Sequence, residues 1–218
     1  GIKEEKIEMI YNGVDYDFWK PTAVLQKQTE EIRKRLNIQD KFVFFSWGRP
    51  GASKGFEYVI EAAPLVAEKA PNSIFLLMLG SAERYRKKHQ ELMSLIKDRD
   101  KQGLIKVISS VPYQELRILL KAVDCAVIPS VSEGFGYSTA ETVAMEKPVV
   151  VSDAGALPEV VAGKHLIFSQ KNVEDLTEKL IQMTEGKFQE TEKKKFEWKE
   201  TITKYLRTYS LLVDNISG

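Results

Sequence analysis

Short apolar runs alternate with helix-spaced patterns along most of the chain, and this alternation decides the fold class. "KFVFFSW", Lys41 to Trp47, is a continuous apolar run that stops at Gly48, the mark of a strand buried on both faces. The next segment, "KGFEYVIEAAPLVAEKA", sets Phe56, Val59, Ile60 and Ala63 at helical spacing. The pattern then repeats: "SIFLLMLG" reads as strand, "ERYRKKHQELMSLIKDRD" as helix, "LIKVIS" as strand and "YQELRILLKAV" as helix. "DCAVIP" leads into helical "STAETVAM", "KPVVVSD" into helical "LPEVVAG", and "HLIF" into helical "VEDLTEKLIQMTEG". A helix between successive buried strands makes the strands parallel and covers both sheet faces. The expected architecture is therefore α/β, a doubly wound Rossmann-like sheet.

The tail has a different character. From Lys187 to Gly218 it is charged and helical in pattern, with Phe196, Trp198, Ile202, Tyr205 and Leu206 as apolar members. The chain divides on this basis into a Rossmann-like domain, 1–186, and a helical tail, 187–218. There is no internal repeat, low-complexity stretch or Gly/Ser linker. The opening "GIKEEKIE" is charged, lacks an initiator Met and runs into strand-like sequence. That argues against a signal peptide and for a domain cut from a longer protein.

Bulk charge excludes several partners. Lys plus Arg number 32 against 31 for Asp plus Glu, so no overall field recruits nucleic acid or an anionic membrane. The basic clusters Arg84 to Lys88 and Lys193 to Lys195 are solvated faces on this account. No apolar stretch reaches the roughly 18 to 20 residues of a membrane span. A lone cysteine, Cys125, rules out an internal disulfide and fits a reducing, cytoplasmic setting; inside "DCAVIP" it is a small buried hydrophobe.

In doubly wound sheets, ligands sit at the carboxyl ends of strands, in turns that open into helices. Two such turns carry chemistry. "GRPGASKG", Gly48 to Gly55, combines glycines that let a ligand approach with the cations Arg49 and Lys54. A guanidinium fork and an ammonium point charge make a diphosphate grip; the alternative is a flexible turn with solvated charges. It is not a P-loop, since Ser53 stands where that motif needs Gly and Gly55 where it needs Ser or Thr.

"SEGFGYSTAE" follows "DCAVIP" and exposes glycine-rich backbone at a helix start, which suits an anion. It misses the dinucleotide fingerprint, because Thr139 occupies the last glycine place and the turn follows a late strand. Ser138 and Glu141 also form S-x-x-E, a capping box that by itself accounts for Glu141. It does not account for Glu133, which precedes the turn and suits ligand hydroxyl groups. His89, in a basic helix, and His165, in a surface turn, have no zinc-ligand spacing. Asp98-Arg99-Asp100 closes a charged helix rather than a strand, which disfavours a metal site there.

These blocks together resemble the C-terminal, nucleotide-sugar-binding half of a GT-B glycosyltransferase of group 1, family 4. Glu133 and Glu141 match its E-x7-E pattern, and Gly48, Arg49, Lys54 and Gly55 match its G-R-x4-K-G signature. "NGVD", Asn12 to Asp15, and "PVVVSDAGALPEVV", Pro148 to Val161, are also similar, in family order over nearly all of residues 7 to 185. Glu146-Lys147 stands where the family usually has Gly, Ser109-Ser110 replaces its glycine after "KVI", and its late turn is shortened to "AGKHL".

The resemblance implies a retaining, metal-independent hexosyltransferase domain with no cofactor, the nucleoside diphosphate sugar being a substrate. Arg49 and Lys54 would hold the diphosphate and stabilise its departure. Glu133 would bind the donor sugar and Glu141 the ribose. Backbone of Gly134, Phe135, Gly136, Tyr137 and Ser138 would line sugar and phosphate. The acceptor would belong mainly to an absent N-terminal domain, so the chain alone would bind donor and transfer little. The tail helix would cross back onto that domain, and peripheral membrane association of the full enzyme stays open. The rivals are a nucleotide-sugar epimerase of the same shape and a non-catalytic interaction domain.

Overall fold

The structure, a computed structural model, describes residues 3–80 and 83–217. Two helices precede the sheet, α1 (Tyr16–Trp19) and α2 (Gln26–Arg35). The strands are β1 (Phe42–Gly48), β2 (Ser73–Leu79), β3 (Ile105–Ile108), β4 (Cys125–Ile128), β5 (Val149–Ser152), β6 (Gly163–Phe168) and β7 (Gln189–Thr191). Between them run α3 (Phe56–Lys69), α4 (Arg86–Arg99), α5 (Tyr113–Ala122), α6 (Tyr137–Ala144), α7 (Leu157–Val160) and α8 (Val173–Thr184), and α9 (Trp198–Ser217) follows β7.

Among the described residues the sheet has the order β3-β2-β1-β4-β5-β6-β7. The first six strands are parallel, as the alternation requires, and β7 is antiparallel to β6. β1 shows why both sheet faces must be covered. Val43, Phe45 and Trp47 enter one core with α2, α5 and α7, while Phe44 enters the other with α3, α4 and α8. An uninterrupted apolar strand has no face to offer water, so helices on both sides follow from "FVFF" itself. Strand order reverses between β1 and β4, and the crevice at such a reversal is where doubly wound folds place ligands.

Several expectations need correction. The tail is not helical throughout: Gln189–Thr191 pairs with β6, so the sheet extends past residue 186 before α9 begins. Among the described residues the strand-like opening forms no strand, and Val14 nearby makes an isolated bridge to Glu197. His165 lies buried on β6, not in a surface turn, and its Nδ1 is 3.0 Å from the Gly163 carbonyl oxygen. The helix α2 lies outside the alternating pattern altogether. Its sequence QKQTEEIRKR buries only Thr29 and Ile32, too few to set a visible period.

The two ends of the described chain pack together. The Val14 amide donates to the Phe196 carbonyl at 2.7 Å, and Thr201 Oγ1 donates to the Tyr11 carbonyl at 2.8 Å. Gly13 lies so close to Trp198 that a Cβ there would meet the tryptophan at 2.5 Å. The far face of α9 is left exposed, with Trp198, Ile202, Tyr205, Leu206 and Tyr209 each more than two-fifths accessible.

Candidate functional site

The two loaded turns follow β1 and β4, the strands that flank the reversal, and they are laced together. Gly55 has φ +65°, and a Cβ on it would lie 2.0 Å from the Pro129 carbonyl oxygen. Only glycine gives both that backbone angle and that approach. The Val131 amide then donates to the Ser53 carbonyl at 2.8 Å. Lys54, at the end of the short turn Ala52–Lys54, is thereby aimed across at the second turn. Its Nζ donates to Glu133 Oε2 at 2.7 Å, and Ser130 Oγ donates to the same oxygen at 3.1 Å. Lys54, Ser130 and Ser138 line one small recess.

Arg49 is treated differently. It is exposed, and among the described residues its side chain makes no hydrogen bond or ion pair. A free guanidinium beside a paired ammonium gives the first turn one cation ready for an anion and one already engaged.

The second turn leads into α6 through Gly136, the N-cap, at φ +89°. No side chain caps this helix, and among the described residues the backbone amides from Gly134 to Ser138 have no acceptor. These N–H groups and the helix dipole make an anion-favouring end. The side chain of Phe135 turns away from this end. It is buried against Tyr11, Phe196 and Tyr137, which ties the turn to the tail. Tyr137 is partly exposed over it. Behind the turn, the Glu133 carbonyl accepts the Ala156 amide at 3.1 Å. Gly155, at φ +54°, comes so close that its Cβ would meet the same carbonyl oxygen at 2.2 Å.

The capping box is not formed. Gly136 takes the N-cap place, so Ser138 lies inside the first turn and Glu141 beyond it. Glu141 is buried and accepts a hydrogen bond from Tyr113 Oη at 2.6 Å through Oε1. Tyr113 in turn accepts from Trp19 Nε1 at 3.0 Å. Burial pushes the Glu141 carboxyl up to about 7, with the Tyr113 hydrogen bond pulling the other way. The Tyr113 hydroxyl is itself pushed up, by burial first and then by its bond to Glu141.

Sequence reasoning did not find Ser130, Tyr113, Trp19 or Gly155. Gly155 sits inside the recognised "SDAGALPE" block, and Tyr113 follows a proline at a helix start, which marks a boundary but no function. Asp98 and Asp100 do not form a site: both Asp100 carboxylate oxygens accept backbone amides, of Leu104 and Ile105. Among the described residues, no group of three or more His, Cys, Asp or Glu could hold a metal ion, and no helix is long and apolar enough to cross a membrane.

A parallel sheet of this order, with a cationic turn and a carboxylate-bearing turn meeting at its reversal, puts the candidate site where doubly wound folds bind ligands, and the fold is that of the C-terminal half of GT-B glycosyltransferases. The chain belongs to the group 1 glycosyltransferases: the family model described as "Glycosyl transferases group 1" matches residues 28–204. Similar curated proteins include an uncharacterized glycosyltransferase of Methanocaldococcus jannaschii, 33% identical over 161 residues, covering 72% of this chain and 39% of that protein. Mannosylfructose-phosphate synthase of Agrobacterium fabrum is 29% identical over 174 residues, covering 78% of this chain and 37% of that protein. Among solved structures, Anabaena HepE in complex with UDP superposes with a TM-score of 0.79 at 21% identity, over 95% of this chain and 58% of that one. At that identity the likeness shows the fold. The chain spans roughly two fifths of the length of the curated relatives it matches.

Proposed function

We propose that the chain is the donor-binding half of a retaining, metal-independent glycosyltransferase that moves a hexosyl group from a nucleoside diphosphate to an acceptor. The observation that carries this is the 2.7 Å contact between Lys54 and Glu133, which brings the cationic turn and the carboxylate turn to one point at the strand reversal. A diphosphate placed there meets the free Arg49, the Lys54 ammonium and the unpaired amides at the start of α6. As the glycosidic bond breaks, negative charge grows on the leaving oxygens and positive charge on the sugar carbon. Fixed donors aimed at those oxygens stabilise that state without reorganising. Glu133 then faces the sugar and Glu141 the ribose.

Other halves of the reaction lie outside this chain. The acceptor is held mainly by an N-terminal domain, and the exposed apolar stripe of α9, Trp198 to Tyr209, packs on that domain in the full enzyme. The chain alone binds donor and transfers little. The similar Anabaena protein was solved with UDP and with UDP-glucose, which makes UDP the first nucleotide to try.

The test is a thermal-shift series with UDP, GDP, ADP and their sugars, with Mg²⁺ and with EDTA. Stabilisation by at least one diphosphate, unchanged by EDTA, is expected. A strict Mg²⁺ requirement ends the metal-independent part, and no response to any of them ends the donor-site assignment.

A further inference from the structure

Glu141 lies at the end of a one-way chain of donors. The indole of Trp19 has a single N–H and no acceptor. It donates to Tyr113 Oη at 3.0 Å, so the one hydroxyl proton of Tyr113 points onward, to Glu141 Oε1 at 2.6 Å. The other carboxylate oxygen, Oε2, has no partner among the described residues, yet it is not among the fully enclosed polar atoms that lack one. One oxygen of a buried carboxylate is thus committed, and the second is left to an incoming donor.

The Tyr113 ring is fixed from the N-terminal segment. Phe18 stacks on it, with centroids 4.9 Å apart and planes 12° from parallel, and Trp19 packs against it edge-on at 5.2 Å. The Arg117 guanidinium lies 4.7 Å from the Phe18 centroid and steadies that ring in turn. Trp19 is fully buried while Tyr113 is half exposed, so the anchor lies in the core and the Tyr113 side chain reaches from it to the surface, with its hydroxyl held between Trp19 and the buried Glu141.

We propose that Tyr113, held by Trp19, is the positioning residue for Glu141: it fixes the carboxylate rotamer, keeps the group an acceptor, and presents Oε2 to the ribose hydroxyls of the donor. This rests on the donor-site assignment above. It adds that α1, at the start of the chain, governs nucleotide affinity through α5. It also makes ribose recognition pH-dependent.

The groups that face Glu141 support this. Tyr113 comes from α5 and Tyr137 from one turn earlier on α6. Asp15, the cap of α1, acts on Tyr113 and not on Glu141 directly, and Glu159 on α7 is taken by Tyr11 at 2.6 Å. No lysine, arginine or histidine pairs with Glu141 among the described residues. Tyr113 is therefore the group that offsets the cost of burying its charge.

The experiment compares UDP with inorganic pyrophosphate, which has no ribose, by calorimetry at pH 6, 7 and 9 on the 218-residue chain. Wild type should prefer UDP, and that preference should grow with pH as Glu141 ionises. Tyr113→Phe keeps the ring, and should weaken UDP roughly ten- to a hundredfold at pH 7, the range for a hydrogen bond to a charged group. Pyrophosphate affinity should hold, and the loss should shrink at pH 9. Trp19→Phe, which leaves the ring edge but removes the donor, should give a smaller loss of the same kind. In a Glu141→Ala background Tyr113→Phe should change nothing further.

Wild-type UDP affinity with an unshifted pH profile in both Tyr113→Phe and Trp19→Phe overturns the proposal. Equal losses of UDP and pyrophosphate in Tyr113→Phe overturn it too, because they mean general disruption. A wild type that binds UDP no better than pyrophosphate instead overturns the ribose assignment beneath it.

Discussion

Lys54 Nζ lies 2.7 Å from Glu133 Oε2, so the cation of one turn is spent on the carboxylate of the other. Both side chains are about one-fifth exposed, at 22% and 19%, which puts the pair between a surface and a buried ion pair. Under the proposed donor assignment, a diphosphate would compete with Glu133 for Lys54, and sugar hydroxyls would compete with Lys54 for Glu133, so the contact would couple the two parts of the donor.

Glu133→Gln separates those parts. Without the carboxylate, Lys54 is free for phosphate, so UDP affinity should stay level or rise a few fold. Affinity for the sugar-bearing donor should fall by roughly tenfold, the loss of a charge-assisted bond to a hydroxyl. Paired titrations with UDP and UDP-sugar decide the matter, and an equal loss for both ligands removes the sugar from Glu133.

The two cations should differ in stability though not in role. Arg49→Ala and Lys54→Ala should each weaken diphosphate binding by on the order of 1.5 to 3 kcal/mol. Arg49 is exposed and unpartnered among the described residues, so its loss should leave the melting point nearly unchanged. Lys54→Ala strands a partly buried Glu133 and should cost about 1 to 2 kcal/mol of stability. Chemical denaturation of both variants reads this difference, and identical stabilities mean that the ion pair contributes nothing to the fold.

Glu141 makes the apo domain pH-sensitive. Its folded pKa is raised from 4.5 to about 7, chiefly by burial. The folded state therefore holds a proton that the unfolded state has lost, and stability from this group falls as pH rises from about 4.5 to 7. Glu141→Gln carries no such charge. Its stability relative to wild type should rise between pH 5 and pH 8, by up to about 3 kcal/mol at 1.36 kcal/mol per unit. Melting curves at the two pH values measure it, and a constant offset means that Glu141 is already ionised at pH 5.

Legibility in the sequence followed the kind of signal each element sends. Continuous runs such as "FVFF" and "CAVI" declare buried parallel strands, and the turns after them declare the candidate ligand end, so the parallel strands and the two turns that carry Arg49, Lys54 and Glu133 were readable. The helix α2 was not, because it buries so little that it has no apolar period. β7 was not, because an exposed three-residue edge strand, QET, has no pattern of its own. The S-x-x-E box misled because Gly136, not Ser138, takes the N-cap place, at φ +89° and where a Cβ would stand 2.6 Å from Leu157 Cδ2, a tertiary approach that local propensity does not record. Tyr113 and Trp19 lie 94 residues apart. A bond across that separation exists only once α1 and α5 have docked.

Gly155 offers the sharpest test of how the site is held from behind. It has φ +54°, and an added Cβ would stand 2.2 Å from the Glu133 carbonyl oxygen, a backbone atom that no side-chain rotation can move aside. Gly103 is the control, with φ +71° but no atom within 4 Å of the same added carbon. Gly103→Ala should cost only the left-handed backbone penalty, about 1 to 2 kcal/mol. Gly155→Ala carries that penalty as well, and must also push the Glu133 backbone away from the Ala156 amide that it accepts at 3.1 Å. Its stability loss should exceed that of Gly103→Ala by at least about 1 kcal/mol, the worth of a displaced hydrogen bond. Displacing Glu133 also moves its carboxylate from Lys54, so Gly155→Ala should lose affinity for UDP-sugar more than for UDP, whereas Gly103→Ala should lose neither. Equal stability losses in the two variants, with donor binding intact in both, mean that the second turn can yield by several tenths of an ångström and that Glu133 is not fixed by its contact with Gly155.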